Sequence, residues 1–178
     1  MALSATIYKA KLNIADLDRQ HYADYPLTLA RHPSETEERL MLRLLAFALN
    51  ASDALSFGKG ISSDEEPDLW CRSPSGEIDL WIELGTPDPD RLRKACGRAQ
   101  QVKLYCYGRR AVPAWWEKHA TGFARFDNLT IEEIPGDSCA ELAKLAVPSM
   151  DVQCTIEGGV AWLSTAAEHL QIEPVRLK

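Results

Sequence analysis

Asp68 and Glu83 are the pair of residues whose types and spacing could do chemistry in this 178-residue chain. They lie in the run Pro67 to Gly85, which reads as two strands joined by a tight turn at Ser73-Pro74-Ser75-Gly76. The strands are Asp68 to Arg72 and Glu77 to Gly85. In the second, Ile78, Leu80, Ile82 and Leu84 point one way and Asp79, Trp81 and Glu83 the other. Folding at that turn opposes residues whose numbers sum to about 149, which sets Asp68 across from Trp81 and Glu83 one diagonal step away, roughly 5–8 Å between β-carbons. Two neighbouring carboxylates repel unless a cation or a proton lies between them. A hard divalent cation such as Mg²⁺ is satisfied by one or two such groups and keeps waters for the rest. The same spacing also describes two solvated acids on the open face of a hairpin.

The elements that must position this pair follow from periodicity and punctuation. Thr6 to Ile14 alternates as a half-buried strand, and Tyr25 to Arg31 is a second strand that pairs with it across a polar connection. Ser34 and Glu37 form a capping box that starts a helix of about Glu35 to Leu49. Its apolar stripe is Met41, Leu44, Leu45 and Ala48, with Glu38 on the edge of that stripe. His32, just before the cap, reads as a local hydrogen-bonding residue. Ala54 to Phe57 is a short strand and Gly58 to Glu66 a loop. Gly58-Lys59-Gly60 lacks the following capped helix that a phosphate-binding loop needs.

After Gly85 a helix of about Asp90 to Ala99 carries Arg91, Arg93, Lys94 and Arg98, the most basic cluster present. Val102 to Tyr107 is a strand, so strand, helix and strand make a crossover with a parallel pair. Val112 to Ala120 is a helix with Trp115 and Trp116, Leu129 to Ile134 a strand, and Ser138 to about Ala146 a helix. A hairpin of Met150 to Ile156 and Val160 to Ser164 turns at Gly158-Gly159. Thr165 to Lys178 carries no assignment. The expected fold is α/β, a mixed central sheet flanked by helices with N- and C-terminal β-hairpins, in one domain over residues 1–178.

Composition limits the classes of function. Apolar content of 46% and charged content of 26% are those of an ordinary globular protein. No apolar run approaches the roughly 18 residues of a membrane span. The N-terminus shows no signal-peptide pattern. Cys71, Cys96, Cys106, Cys139 and Cys154 are widely spaced, with no CxxC pair, which suits reduced thiols in the cytoplasm. A net charge of −6 argues against a diffuse nucleic-acid-binding surface and leaves room for a local basic patch. Trp70, Trp81, Trp115 and Trp116 are either core residues or a platform for stacking bases.

An acid in a first helix, Pro-Asp opening a strand and Glu in the next strand resemble the PD-(D/E)xK, or restriction-endonuclease-like, superfamily. Longer blocks resemble the YaeQ family of bacterial proteins over nearly the whole chain. They are Ala5-Thr6-Ile7-Tyr8-Lys9-Ala10, the run Leu27 to Thr36, Ile78 to Gly85, and Gly159-Val160-Ala161-Trp162-Leu163-Ser164. That family's fold is, by resemblance, a variant of the PD-(D/E)xK core.

The resemblance implies roles. Asp68 and Glu83 would hold Mg²⁺ or Mn²⁺, and Glu38 would support the metal from its helix. The lysine expected two residues after Glu83 is Gly85 here. Lys94 is the candidate that replaces it from the next helix, and Lys103 is a weaker substitute. Asp79 lies four residues from Glu83, roughly 13 Å along the strand, too far to share its ion. Arg91, Arg93 and Arg98 would grip a nucleic-acid backbone. The implied activity is metal-dependent phosphodiester hydrolysis. The alternative is a catalytically degenerate nuclease fold that binds nucleic acid or a protein partner, with no membrane involved.

Overall fold

A computed structural model describes residues 4–178. The chain falls into two compact units, Met1–Ala51 with Asp137–Glu173, and Ser52–Gly136 with Pro174–Lys178. The class is α/β. Each unit carries a mixed sheet of its own, where one central sheet was expected.

In the first unit β1 (Thr6–Asp16) and β2 (His21–Arg31) form an antiparallel pair with Leu12 opposite Tyr25. The polar connection shrinks to residues 17–20, because alternation in β2 continues back through Tyr25 to His21. Helix α1 (Glu37–Leu49) starts later than the capping box implied. Thr36 is the cap, and its hydroxyl accepts from the Arg39 N–H at 3.1 Å. Ser34 instead bonds His32, Oγ to Nδ1 at 2.7 Å, so His32 is the local hydrogen-bonding residue its position suggested. Replacing Thr36 with alanine should cost about 1 kcal/mol, as loss of a capping hydroxyl typically does. Urea unfolding would measure it, and Ser34→Ala should cost less.

Residues Leu40 to Ala48 of α1 are all buried, Arg43 included, so the helix is covered well beyond its apolar stripe. Arg43 is matched by Glu35, which accepts from Nε and Nη2 at 2.8 Å each.

The chain returns to this unit through β8 (Ser149–Glu157), β9 (Val160–Ser164) and β10 (His169–Ile172). The strand order is β10-β9-β8-β1-β2, with β1 and β8 parallel. One face of this sheet is core, with Leu12, Ile14, Val152, Cys154, Ala161 and Ile172 nearly inaccessible. The Gly158-Gly159 turn falls where expected, and both its N–H groups donate to the Asp18 carboxylate.

The second unit holds β3 (Leu55–Phe57), β4 (Leu69–Arg72), β5 (Ile78–Leu84), α2 (Pro89–Arg98), β6 (Ala99–Cys106), α3 (Ala111–Phe123), β7 (Leu129–Glu133) and β11 (Val175–Arg176). Helix α4 (Gly136–Ala143) follows β7. The strand order is β11-β7-β6-β5-β4-β3. Strands β5, β6 and β7 are parallel, as crossovers through α2 and α3 require. The short tail strands β10 and β11 escaped sequence reading, having only four and two residues.

Strand β5 lies inside this sheet, and Trp81, Ile82, Glu83 and Leu84 are buried on both faces. Trp81 joins Leu92, Ala95, Val102, Leu104 and Phe123 in one apolar cluster.

Candidate functional site

The hairpin of β4 and β5 closes at the expected turn. The Gly76 N–H donates to the Ser73 carbonyl at 2.9 Å, and Gly76 takes φ +89. Its register differs from the expected one. Leu69 pairs with Ile82 and Trp70 with Trp81, and the register shifts between Cys71 and Arg72. That irregularity moves every pair beyond it, because the turn alone does not fix the register of a bulged ladder. Asp68 precedes the first paired residue, Leu69, and so does not stand across from Trp81. The Asp68 N–H donates to the Ile82 carbonyl at 3.1 Å, a one-residue slip from the pairing that begins at Leu69 and Ile82. The two carboxylates lie near enough for the charge of Asp68 to act on Glu83.

Both acids are buried, Asp68 at 1% and Glu83 at 3% exposure, so the solvated-hairpin reading fails. Asp68 Oδ2 accepts from the Leu84 N–H at 2.9 Å. Glu83 Oε1 accepts from Trp81 Nε1 at 2.8 Å and from Arg91 Nε at 2.9 Å. Arg91 Nη2 lies 2.9 Å from the same oxygen. Burial pushes the Glu83 carboxyl above its ordinary value. The Arg91 bond opposes that shift, and the negative charge of Asp68 adds to it.

The loop before β4 packs directly on the pair. A Cβ at Gly60 would collide with the Asp68 carboxylate, and one at Gly58 would collide with the Pro67 carbonyl. The two glycines flanking Lys59 thus serve close backbone approach. Gly58→Ala meets a backbone atom that cannot swing aside, so it should destabilise by about 1–3 kcal/mol, as overpacking does. Its thermal unfolding beside that of Gly97→Ala, a site with open space around it, would check this.

Glu83 stands near the C-terminal end of a parallel strand, where open α/β sheets bind ligands. A cavity of about 750 Å³ is lined by the Glu83 partners Trp81 and Arg91 and by Lys94, Arg98, Asp64 and Glu65, but by neither Glu83 nor Asp68.

The family model described as YaeQ protein matches residues 1–174. The chain belongs to the YaeQ family. It is 49% identical over 173 residues to an "Uncharacterized protein YaeQ" of Salmonella typhi, covering 97% of this chain and 96% of that one. The crystal structure of a YaeQ protein from Xanthomonas axonopodis pv. citri superposes with a TM-score of 0.96 at 44% identity, over 98% of this chain and 99% of that one. A YaeQ protein from Pseudomonas syringae gives a TM-score of 0.93 at 36% identity, over 98% and 96%.

Within this YaeQ-family chain the other expected site residues separate. Gly85 adopts φ +101, a conformation that side-chain-bearing residues rarely take, and so turns the strand toward α2. A lysine there would be strained. The cation bonded to Glu83 is Arg91. Lys94 is exposed on the cavity wall one turn further along α2. Lys103 pairs with Ile82, and Glu83 pairs with Leu104. Lys103 therefore lies on the opposite sheet face and does not replace the missing lysine. Glu38 is half-buried on α1 in the other unit.

The three arginines were expected to grip a backbone together. Arg91 is committed to Glu83, Arg93 pairs with Asp90 at 3.2 Å, and Arg98 donates to the Glu65 carbonyl at 3.0 Å while lying over the Trp81 ring. Trp70 and Trp81 are core, and Trp115 and Trp116 are half-buried. Trp70 and Trp81 meet edge to face at 6.3 Å, Trp115 donates to the Pro87 carbonyl, and Trp116 packs against the same apolar cluster.

Among the described residues, no group of three or more His, Cys, Asp or Glu is placed to hold a metal ion. Asp68 and Glu83 are thus a pair of oxygen-donor side chains, the ligand type that hard divalent cations take. Burial pushes Cys106 and Cys154 up to about 12 and Cys96 to about 11, so they stay protonated at neutral pH. Among the described residues, no helix is long and apolar enough to cross a membrane.

Proposed function

We propose that the chain is a metal-dependent nuclease or phosphodiesterase working through a variant PD-(D/E)xK site. The observation that carries this reading is the buried Asp68–Glu83 pair at the β4–β5 hairpin, with Glu83 bonded to Arg91 on the wall of a cavity that Lys94 and Arg98 also line. Asp68 and Glu83 would hold Mg²⁺ or Mn²⁺. Such an ion, when bound, would lower the pKa of a water and offset charge on the phosphate.

The chain's own residues do the rest. The Leu84 N–H fixes the Asp68 carboxylate, and the Trp81 indole and Arg91 fix that of Glu83. Arg91 also lowers the repulsion between the two acids. Lys94 and Arg98 line the space where a phosphodiester would lie, and Lys94 would meet the charge that builds on it. Gel assays on single- and double-stranded DNA and RNA, with Mg²⁺ or Mn²⁺, test this. The expected result is cleavage by the wild type that Asp68→Asn abolishes. Equal activity in both proteins, or none with any substrate, overturns it.

Two observations favour the second reading, a degenerate nuclease fold that binds without cutting. Arg91 already supplies Glu83 with a positive partner, and Gly85 removes the usual lysine. Oligonucleotide binding that Asp68→Asn leaves unchanged, with no cleavage, would support that reading.

A further inference from the structure

The basic face of α2 is in contact with an anionic segment of the same chain. Arg91 Nη2 donates to the Glu66 carbonyl at 2.9 Å, and Nη1 stands 3.6 Å from Asp64 Oδ1. Arg98 Nη1 donates to the Glu65 carbonyl at 3.0 Å and lies 3.6 Å from Glu65 Oε2. Asp64, Glu65 and Glu66 thus present alternating carbonyls and carboxylates to two guanidinium groups. A phosphodiester backbone would offer those groups the same kind of acceptors.

The hold is weak. The Asp64 and Glu65 side chains are 105% and 86% exposed, so their ion pairs are screened by salt and readily exchanged. The other acids on the cavity are otherwise engaged. Asp88 caps α2 through the Asp90 N–H, and Asp90 pairs with Arg93. Departure of the loop would leave Arg91, Lys94 and Arg98 facing the cavity without Asp64 and Glu65.

We propose that Asp64–Glu66 is an acidic strap that competes with a phosphodiester strand for Arg91 and Arg98, so that the strand binds by displacing it. This deepens the hydrolase reading, on which the choice of nucleic acid as ligand rests, by naming the regulation of the same cavity.

The test is binding of a fluorescently labelled 12-nucleotide single-stranded DNA to the full chain in EDTA, read by anisotropy over a salt series. Wild type is compared with Asp64→Asn/Glu65→Gln, with that variant plus Arg98→Gln, and with Asp151→Asn/Glu157→Gln. The last carries the same charge change on exposed β8 positions. The strap variant should bind at least about tenfold tighter, and its salt slope should steepen by about 1.4, two phosphate contacts at about 0.7 each. Adding Arg98→Gln should remove most of the gain.

A change of less than twofold, an equal gain in the β8 control, or no binding by any variant overturns the strap. Cleavage assays separate the two claims. Strap-dependent binding without cleavage in Mg²⁺ or Mn²⁺ retains the strap and removes the hydrolase. Cleavage with binding indifferent to the strap does the reverse.

Discussion

Arg91→Ala is expected to destabilise the protein by about 3 kcal/mol, the low end of the cost of removing one partner from a buried ion pair. Glu83 retains only 4% side-chain exposure and Arg91 20%, so the carboxylate would be left buried beside Asp68 without its cation. The loss should depend on pH in a defined direction. Burial already raises the Glu83 carboxyl above its ordinary 4.5, with Asp68 adding to the shift and Arg91 opposing it. The folded chain therefore holds this proton more tightly than the unfolded chain. The associated stability is fully present below about 4.5, the unfolded value, and is lost as pH rises through the folded one.

Without Arg91 the folded value climbs further. The decline in stability then runs to higher pH and grows larger. Urea unfolding at a series of pH values from 4 to 8 reads this directly. Wild type and Arg91→Ala falling in parallel would show that Arg91 does not compensate Glu83. Glu83→Gln in the Arg91→Ala background should recover much of the loss at pH 7, because the uncompensated charge is gone.

Trp81→Ala should cost about 3–5 kcal/mol, the range for deleting a large buried aromatic side chain. Trp81 is 2% exposed, meets Trp70 edge to face and packs within the cluster that seats α2 on the sheet. It also donates its indole N–H to Glu83. Trp81→Phe separates the two roles, since it keeps most of the packing and loses the donor. Its expected cost is about 1.5–3 kcal/mol, that of a hydrogen bond to a charged group. Chemical denaturation of both variants checks this, and similar costs for the two would mean that packing contributes little.

Much of the frame was legible because it rests on local rules. The Ser73–Gly76 turn, the alternation in β5 and the crossover through α2 each follow from a few neighbouring residues. Asp68 and Glu83 could be brought to one sheet face for the same reason. Their register could not be read, because the irregularity at Cys71 and Arg72 leaves no mark in residue type. Thr36 outcompeted Ser34 as the cap because the Ser34 hydroxyl is engaged by His32.

The partner of Glu83 was hidden for a different reason. Arg91 reaches it from a helix eight residues on, and nothing in spacing distinguishes Arg91 from Arg93 or Lys94 until α2 is docked. Gly58 and Gly60 looked like a failed phosphate loop. Their use, to let Pro67 and Asp68 approach, depends on a contact the sequence does not display.

The central claim is that Asp68 and Glu83 form a divalent-cation site. The most direct test is calorimetric titration of Mn²⁺ into the metal-free protein beside Asp68→Asn/Glu83→Gln, with and without a short oligonucleotide bearing non-hydrolysable phosphorothioate links. The account predicts one-to-one binding by the wild type, strengthened by the oligonucleotide and lost in the double variant. Mn²⁺ binding of equal strength in the two proteins, or no binding by the wild type even with the oligonucleotide, would contradict it.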